Sequence, residues 1–257
     1  MNEYKIFEGK PYAELMKDLK DEGYRPMDMR NLVEKRLEAL ASGDEEERDK
    51  FVNQSLDSST GIVTYKRETE DGIRDEIKII PRCEFLENID INQELYNGRL
   101  KLTEEQYNQL EGKVFNRKDL ILNEFLTEEE AKEHSIWKEL LGGTLKDYVN
   151  TVFDFEKKHG RNTAMGVWVH KGEDVPMLRS CYVDRFINDY YGRSLYGFNI
   201  LDYGTRLVGV KDAKGVAENS EKSENFKGVL SKYGIDSAEE LRKALDMYKH
   251  AKSVLEQ

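Results

Sequence analysis

Two segments rich in β-branched residues, 61–66 and 73–80, stand on either side of the dipeptide Asp71-Gly72. Asp-Gly is favoured in two-residue type I′ turns because both turn positions need a positive φ. The pattern therefore predicts an antiparallel β-hairpin in the first third of the chain. The opposed pairs of this predicted register are Glu70 with Ile73, Arg67 with Glu76, and Val63 with Ile80.

Helical patterns stand before and after this hairpin. The apolar stripes that predict helices are Tyr12, Leu15, Met16 and Leu19; Met29, Leu32, Val33, Leu37 and Leu40; and Leu145, Tyr148, Val149, Val152 and Phe153. Capping boxes at Thr103 with Gln106 and at Thr127 with Glu130 predict two further helices, the second ending at Gly142-Gly143. Thr144 is predicted to cap the helix that follows.

From Thr163 to Val210 the pattern favours strands again, near 165–170, 178–186, 195–201 and 206–210. The predicted fold class is therefore α+β, with N-terminal helices, a β-hairpin, middle helices, a second group of strands and a C-terminal helical hairpin. The predicted organisation is a main domain (1–211), a polar linker (212–225) and the helical hairpin (226–257), and we expect the main domain to fold without the tail.

Charge is distributed unevenly along the chain. The formal net charge is −11, yet residues 157–211 contain nine basic and five acidic residues and so carry +4. No segment approaches the ~20 consecutive apolar residues of a membrane span, and residues 1–10 lack a signal-peptide core. With only two isolated cysteines, Cys83 and Cys181, the sequence predicts a cytoplasmic chain without disulfides or a membrane partner.

The basic excess coincides with a cluster of arginines and tyrosines over 179–206. Arginine and tyrosine are enriched at binding hot spots, and both also suit phosphate groups and stacked bases. The residues predicted to contact a ligand are Arg179, Arg185, Tyr190, Tyr191, Arg193 and Arg206. The opposite interpretation is that the tyrosines fill a core and the arginines pair with Asp184, Asp189 and Asp202.

Catalytic motifs are weaker. Asp57, Glu76 and Lys78 imitate the carboxylate and lysine arrangement of a metal-dependent nuclease, but Glu-x-Lys recurs in this Glu- and Lys-rich chain. Glu130 and His134, four apart on a predicted helix, are a weak metal pair, and we predict no metal site. Phosphate-loop, dinucleotide-binding and Gly-x-Ser-x-Gly patterns are absent, so no cofactor is identified.

The sequence therefore favours a non-catalytic binding or regulatory protein whose contact surface lies around 179–206. The partners that fit this surface are an anionic small molecule, a single-stranded nucleic acid or a protein. The alternatives are a hydrolase or nuclease acting through Asp57, Glu76 and Lys78, and an assembly protein that docks through its C-terminal helices.

Overall fold

A computed structural model shows helices and a mixed sheet in one chain, which confirms the predicted α+β class. The described residues are 2–70, 72–186, 194–197, 201–202 and 204–211. The predicted linker (212–225) and C-terminal helical hairpin (226–257) lie outside these residues. Within the described part, no helix is both long enough and apolar enough to cross a membrane.

The described helices agree with most of the apolar stripes. They are α1 (Tyr12–Asp21), α2 (Met29–Ser42), α3 (Glu45–Phe51), α4 (Glu84–Glu87), α5 (Glu104–Gln109), α6 (Glu128–Glu133), α7 (Ser135–Leu141) and α8 (Leu145–Lys158). Asp28 begins α2, where its side chain accepts a hydrogen bond from the Asn31 backbone N–H at 2.9 Å. Both predicted capping boxes are present, at the start of α5 and of α6.

The strands form one sheet. Their bounds are β1 (Glu3–Glu8), β2 (Arg25–Pro26), β3 (Leu56–Thr69), β4 (Gly72–Ile80), β5 (Leu100–Lys101), β6 (Lys113–Asn116), β7 (Val167–Val169), β8 (Met177–Val183), β9 (Leu195–Gly197) and β10 (Arg206–Lys211). The main path through the sheet is β1-β10-β3-β8-β9-β7. β3 also pairs with β4, and β8 also pairs with β5, so these two strands change partner along their length.

The two faces of the sheet contribute to two hydrophobic clusters. One contains residues of α2, α7 and α8 together with Ile62, Val167 and Val183. The other contains residues of α1, α4 and α5 together with Val63 and Leu178. Since side chains alternate between faces along a strand, neighbouring residues such as Ile62 and Val63 enter different clusters.

The buried face of α2 includes a charged residue that the sequence pattern did not identify. The predicted stripe continued through Leu37 and Leu40, whereas Arg36 is fully buried and those two leucines are only partly buried. The Arg36 guanidinium donates to the backbone carbonyls of Asp184 (2.5 Å) and Gln54 (2.5 Å). Asp184 directly follows the end of β8, and Gln54 lies just before the start of β3. A helix side chain thus fixes the chain on both sides of the β3–β8 pair.

The hairpin is present, but its predicted register is wrong by two residues. Tyr65 lies opposite Glu76, Arg67 opposite Arg74, and Gly61 opposite Ile80. A shift of two keeps every side chain on its face, so the apolar pattern cannot distinguish the two registers. Contacts with α5 favour the observed one.

Two residues of α5 hold the hairpin strands. The Tyr107 hydroxyl donates to Glu76 at 2.8 Å, and the Tyr107 ring packs edge-on against Tyr65, with centroids 5.2 Å apart. Arg67, which we expected to face Glu76, is instead 3.4 Å from the Glu104 carboxylate. Tertiary contacts therefore set the register that the turn dipeptide alone did not.

The turn supports a stability prediction. Gly72 is the first residue of β4 and has a φ of 110°, which side chains with a β-branch rarely adopt. Replacing Gly72 with valine should lower the free energy of unfolding by about 1–2 kcal/mol in a denaturant melt. Ile73→Val, at a neighbouring side chain that is 72% exposed, is the control and should leave the midpoint unchanged. An equal midpoint for both variants would contradict a strained turn.

The middle helices differ from prediction in one respect. The helix predicted to run from Thr127 to Gly142 divides into α6 and α7 at His134, whose extended backbone caps α7. Glu130 is held by its capping box at Thr127, while the His134 ring contacts the Ile121 carbonyl at 2.8 Å. These two side chains therefore do not form the helical pair that a shared metal would need. Thr144 precedes α8 without a side-chain cap.

Candidate functional site

Three aromatic rings stack in a row across three adjacent strands. Tyr182 of β8 lies directly opposite Tyr196 of β9, which lies directly opposite Trp168 of β7. The Tyr182 and Tyr196 rings are 4.8 Å apart and inclined by 8°, and the Tyr196 and Trp168 rings are 6.2 Å apart and inclined by 10°. We call Tyr182, Tyr196 and Trp168 the aromatic row.

The aromatic row lies on the face of its strands opposite the hydrophobic cluster shared with α2, α7 and α8. The residues beside it in sequence, Val183, Leu195 and Val167, are fully buried in the cluster shared with α2, α7 and α8. The row residues belong to neither hydrophobic cluster and are partly exposed. These strands therefore build the core with one face and present aromatic rings on the other.

A close fit of backbone and ring fixes the Trp168 end of the row. A Cβ atom on Gly166 would lie 2.7 Å from Trp168 Nε1 and 2.5 Å from the Glu124 carbonyl oxygen. Phe125 packs edge-on against Trp168, with centroids 5.6 Å apart. The absent side chain at Gly166 thus creates the space in which the indole sits.

The arginines predicted to form one surface lie in different places. Arg179 is on β8 but three residues before Tyr182, so it faces the other side of the sheet, and it is only 6% exposed. Arg185 follows β8, where its backbone N–H donates to the Asp184 carboxylate at 2.9 Å. Arg206 is on β10 and pairs with Glu8 at 2.5 Å, rather than with Asp202. Tyr190, Tyr191 and Arg193 lie outside the described residues.

Arg179 lies beside a second buried arginine. Leu100 of β5 is opposite Leu178 of β8, and Arg99 directly precedes β5 as Arg179 directly follows Leu178. Arg99 is 7% exposed and forms an ion pair with Glu173. Burial and, to a smaller extent, the charge of Arg99 lower the pKa of Arg179 to about 10, and Glu173 acts in the opposite direction.

The loop that carries Glu173 is held by other strands. The Glu173 carbonyl accepts a hydrogen bond from the Lys66 backbone at 2.7 Å, and the Gly172 N–H donates to the Asp75 carboxylate at 3.1 Å. Asp75 also pairs with Arg117 at 3.0 Å. A Cβ on Gly172 would lie 2.6 Å from that carboxylate, so glycine is what allows the loop to approach.

The nuclease-like residues are not brought together. Asp57 lies eight residues along β3 from Tyr65, the partner of Glu76, which corresponds to about 26 Å of strand. The Lys78 ammonium donates to the Tyr107 carbonyl at 2.7 Å, and Glu76 accepts from the hydroxyl of the same residue. Among the described residues, no group of three or more His, Cys, Asp or Glu side chains could hold a metal ion.

A shallow groove of about 400 Å³ lies elsewhere, next to β5. Its walls combine apolar residues such as Phe85, Ile89 and Leu102 with polar residues such as Asn88 and Gln106. None of the polar side chains that line it is buried, so the groove is a less specific feature than the aromatic row.

Comparison with known proteins identifies the fold. The sequence matches no family model, and no curated protein sequence matches it. One solved structure, described as showing accommodation of massive sequence variation in Nanoarchaeota by the C-type lectin fold, matches with a TM-score of 0.63 at 19% identity. The match covers 82% of this chain and 98% of that chain. The chain therefore has a C-type-lectin-like fold.

Sequence reasoning found part of these features. Tyr182, Tyr196 and Arg179 fall within the segment singled out for its composition. Trp168 and Arg99 do not, because strand pairings bring them next to that segment. The signal available for the row was that Trp168, Tyr182 and Tyr196 each fall within a predicted strand.

Proposed function

We propose that the chain is a non-catalytic binding protein whose contact surface is centred on the aromatic row. The observation that carries this proposal is the stack of three partly exposed rings on the face opposite the cluster shared with α2, α7 and α8. Tyrosine and tryptophan offer large, rigid contact areas and are enriched at hot spots of protein interfaces. A surface of this kind suits a protein partner.

The charge of the chain supports a protein partner over a nucleic acid. Nucleic-acid affinity comes mainly from lysine and arginine contacts to phosphates, and this chain carries −11 overall. Arg179 faces the other side of the sheet from the row, and Arg206 is paired on β10. Neither Arg179 nor Arg206 therefore lines the stacked rings as a phosphate track would require.

The structural neighbour supports a separation between framework and surface. That protein is described as accommodating massive sequence variation on a C-type lectin fold. In the present chain, the residues on the core face of β7, β8 and β9 are fully buried, while the row on the other face is not. Substitutions in the row can therefore change what is bound with little effect on the core.

The test uses peptides selected from a random displayed library against the native protein. Tyr182→Ala and Tyr196→Ala should each weaken most selected peptides by about 10- to 100-fold, the range expected for hot-spot truncation. Tyr96→Ala is the matched control, since Tyr96 is 55% exposed and lies outside the row. Isothermal calorimetry measures the dissociation constants, and melting curves establish that each variant is folded.

Two outcomes would contradict the proposal. Peptides that bind all three variants as they bind the native protein would show that the row is not the contact surface. Binding of a 15-residue oligothymidylate at about 0.15 M salt, lost in Tyr196→Ala and weakened by added salt, would favour a single-stranded nucleic acid instead. We expect no binding of this oligonucleotide.

A further inference from the structure

The outer edge of β6 is open to another strand. Among the described residues, β6 (Lys113–Asn116) pairs with β4 alone. The edge of a sheet presents backbone N–H and C=O groups that can pair with a further strand. Val114, in the middle of this edge, has a side chain that is 45% exposed. An exposed β-branched residue on an open edge indicates a surface that an added strand would cover.

The backbone of Val114 points away from β4. A Cβ on Gly112 would lie 2.4 Å from the Ile79 carbonyl oxygen, so this carbonyl is directed at β6. Ile79 lies opposite Lys113, and the backbone groups of successive residues in a strand alternate in direction. The backbone groups of Lys113 and Phe115 therefore face β4, while those of Val114 face outward. Val114 thus offers one donor and one acceptor to an incoming strand.

We propose that β6 pairs antiparallel with β6 of a second copy of this chain, about a twofold axis that passes between the two Val114 residues. Opposed residues of a sheet lie on the same face, so the possible registers differ by steps of two residues. In the proposed register the two Val114 residues exchange two backbone hydrogen bonds and bring their exposed side chains together. This assembly goes beyond the binding function proposed for the aromatic row.

The charges along this segment select the register. It places Lys113 of one protomer opposite Phe115 of its partner and, just beyond the strand ends, Glu111 next to Arg117. Within one chain the Lys113 ammonium already lies 5.4 Å from the Phe115 ring centroid, so this ring can also accept the partner's charge. Sliding the strands by two residues opposes Lys113 either to its own copy or to Arg117. Like charges directly opposite one another destabilise a sheet, so both alternatives are disfavoured.

The short edge predicts a weak dimer. Four residues of each protomer pair, so the interface lies at the low end of the size range for specific complexes. We expect a dissociation constant of about 10–100 μM. Three strands, β4, β3 and β8, lie between β6 and β9, which carries the middle ring of the aromatic row. A dimer formed through β6 therefore carries two aromatic rows.

Sedimentation velocity of the 257-residue chain over about 1–300 μM tests the proposal. The native protein should change from monomer to dimer within this range. Val114→Pro removes the outward N–H and leaves the bonds to β4 in place, so it should abolish the dimer. Val114→Lys opposes two ammonium groups at the twofold axis and should weaken the dimer by at least about tenfold. If the proline variant does not fold, the lysine variant decides.

Ile73→Lys is the matched control, because Ile73 is a 72% exposed apolar residue at the turn end of β4. This variant should dimerise as the native protein does. Glu111→Lys tests the register, since it would oppose Arg117 of the partner and should weaken the dimer by about threefold or more.

Three results would overturn the proposal. One is a native protein that remains monomeric at about 300 μM. Another is a dimer that Val114→Lys leaves unchanged, which would place the contact elsewhere on the chain. The third is a dimer that Ile73→Lys and Val114→Lys weaken equally, because the loss would then follow from added charge rather than from the β6 edge.

Discussion

Replacing Arg36 with methionine should lower the free energy of unfolding by about 3–5 kcal/mol. The Arg36 guanidinium is fully buried and donates to the backbone carbonyls of Asp184, Gln54 and Val183. Each buried carbonyl left without a donor costs about 1–3 kcal/mol. Methionine preserves most of the side-chain volume but supplies no donor, so the loss reports the hydrogen bonds rather than a cavity.

Burial lowers the pKa of Arg36, but arginine remains charged under any condition in which the protein is folded. The methionine variant therefore also removes a buried charge and recovers part of its desolvation cost, which sets the lower end of the range. Arg36→Lys should recover part of the loss because an ammonium can reach some of the same carbonyls. Arg48→Ala, at an exposed arginine of α3, is the control and should change stability by less than about 0.5 kcal/mol.

Denaturant melts of these variants measure how much free energy of unfolding is lost when Arg36 is replaced. A methionine variant as stable as the native protein would show that the three carbonyls find other donors, and that Arg36 does not clamp the strands. A loss of stability equal to that of Arg48→Ala would lead to the same conclusion.

Local signals in the sequence predicted the longer elements. The stripe of α1 and the capping boxes of α5 and α6 act over a few residues, and each is present in the structure. Gly43 and Gly160 adopt positive φ next to the ends of α2 and α8, as glycines after a helix commonly do. These features depend on local backbone chemistry, so a single sequence is enough to find them.

Features that depend on distant contacts were not predicted. β2 and β5 have two residues each, too few for any period to show. Arg36 occupies a helical position consistent with the α2 stripe, following Leu32 and Val33 by four and three residues, but its charge argued for solvent. Its buried partners are carbonyls contributed by segments far away in sequence, which a local pattern cannot show.

The same limit applies to the candidate site. Composition identified a segment that contains Tyr182 and Tyr196, and strand alternation then decides which face each residue takes. The parallel pairing of β7 with β9 places Trp168 in the row, and the pairing of β5 with β8 places Arg99 beside Arg179. The sequence therefore indicated where aromatic and basic residues are concentrated, while the sheet separates them into two features.

Gly166→Ala should lower the free energy of unfolding by about 2–3 kcal/mol and disturb the aromatic row at the same time. The new Cβ would lie 2.5 Å from the Glu124 carbonyl oxygen, which is backbone and cannot rotate away, and 2.7 Å from Trp168 Nε1. Relief requires the partly exposed indole to move outward, further into solvent. Tryptophan fluorescence should therefore shift to longer wavelength, because the other tryptophan, Trp137, is fully buried and keeps its bond to the Met165 carbonyl.

Gly143→Ala is the control for backbone effects, because a Cβ at Gly143 would have nothing within 4 Å and its φ is not positive. Its stability should match the native protein or exceed it slightly, since alanine restricts the unfolded chain. If the row is the contact surface, Gly166→Ala should also weaken the selected peptides, although Gly166 itself is buried and cannot touch them. Unchanged fluorescence and unchanged peptide affinity in a destabilised Gly166→Ala protein would separate Trp168 from recognition, and would confine the role of this glycine to packing against Glu124.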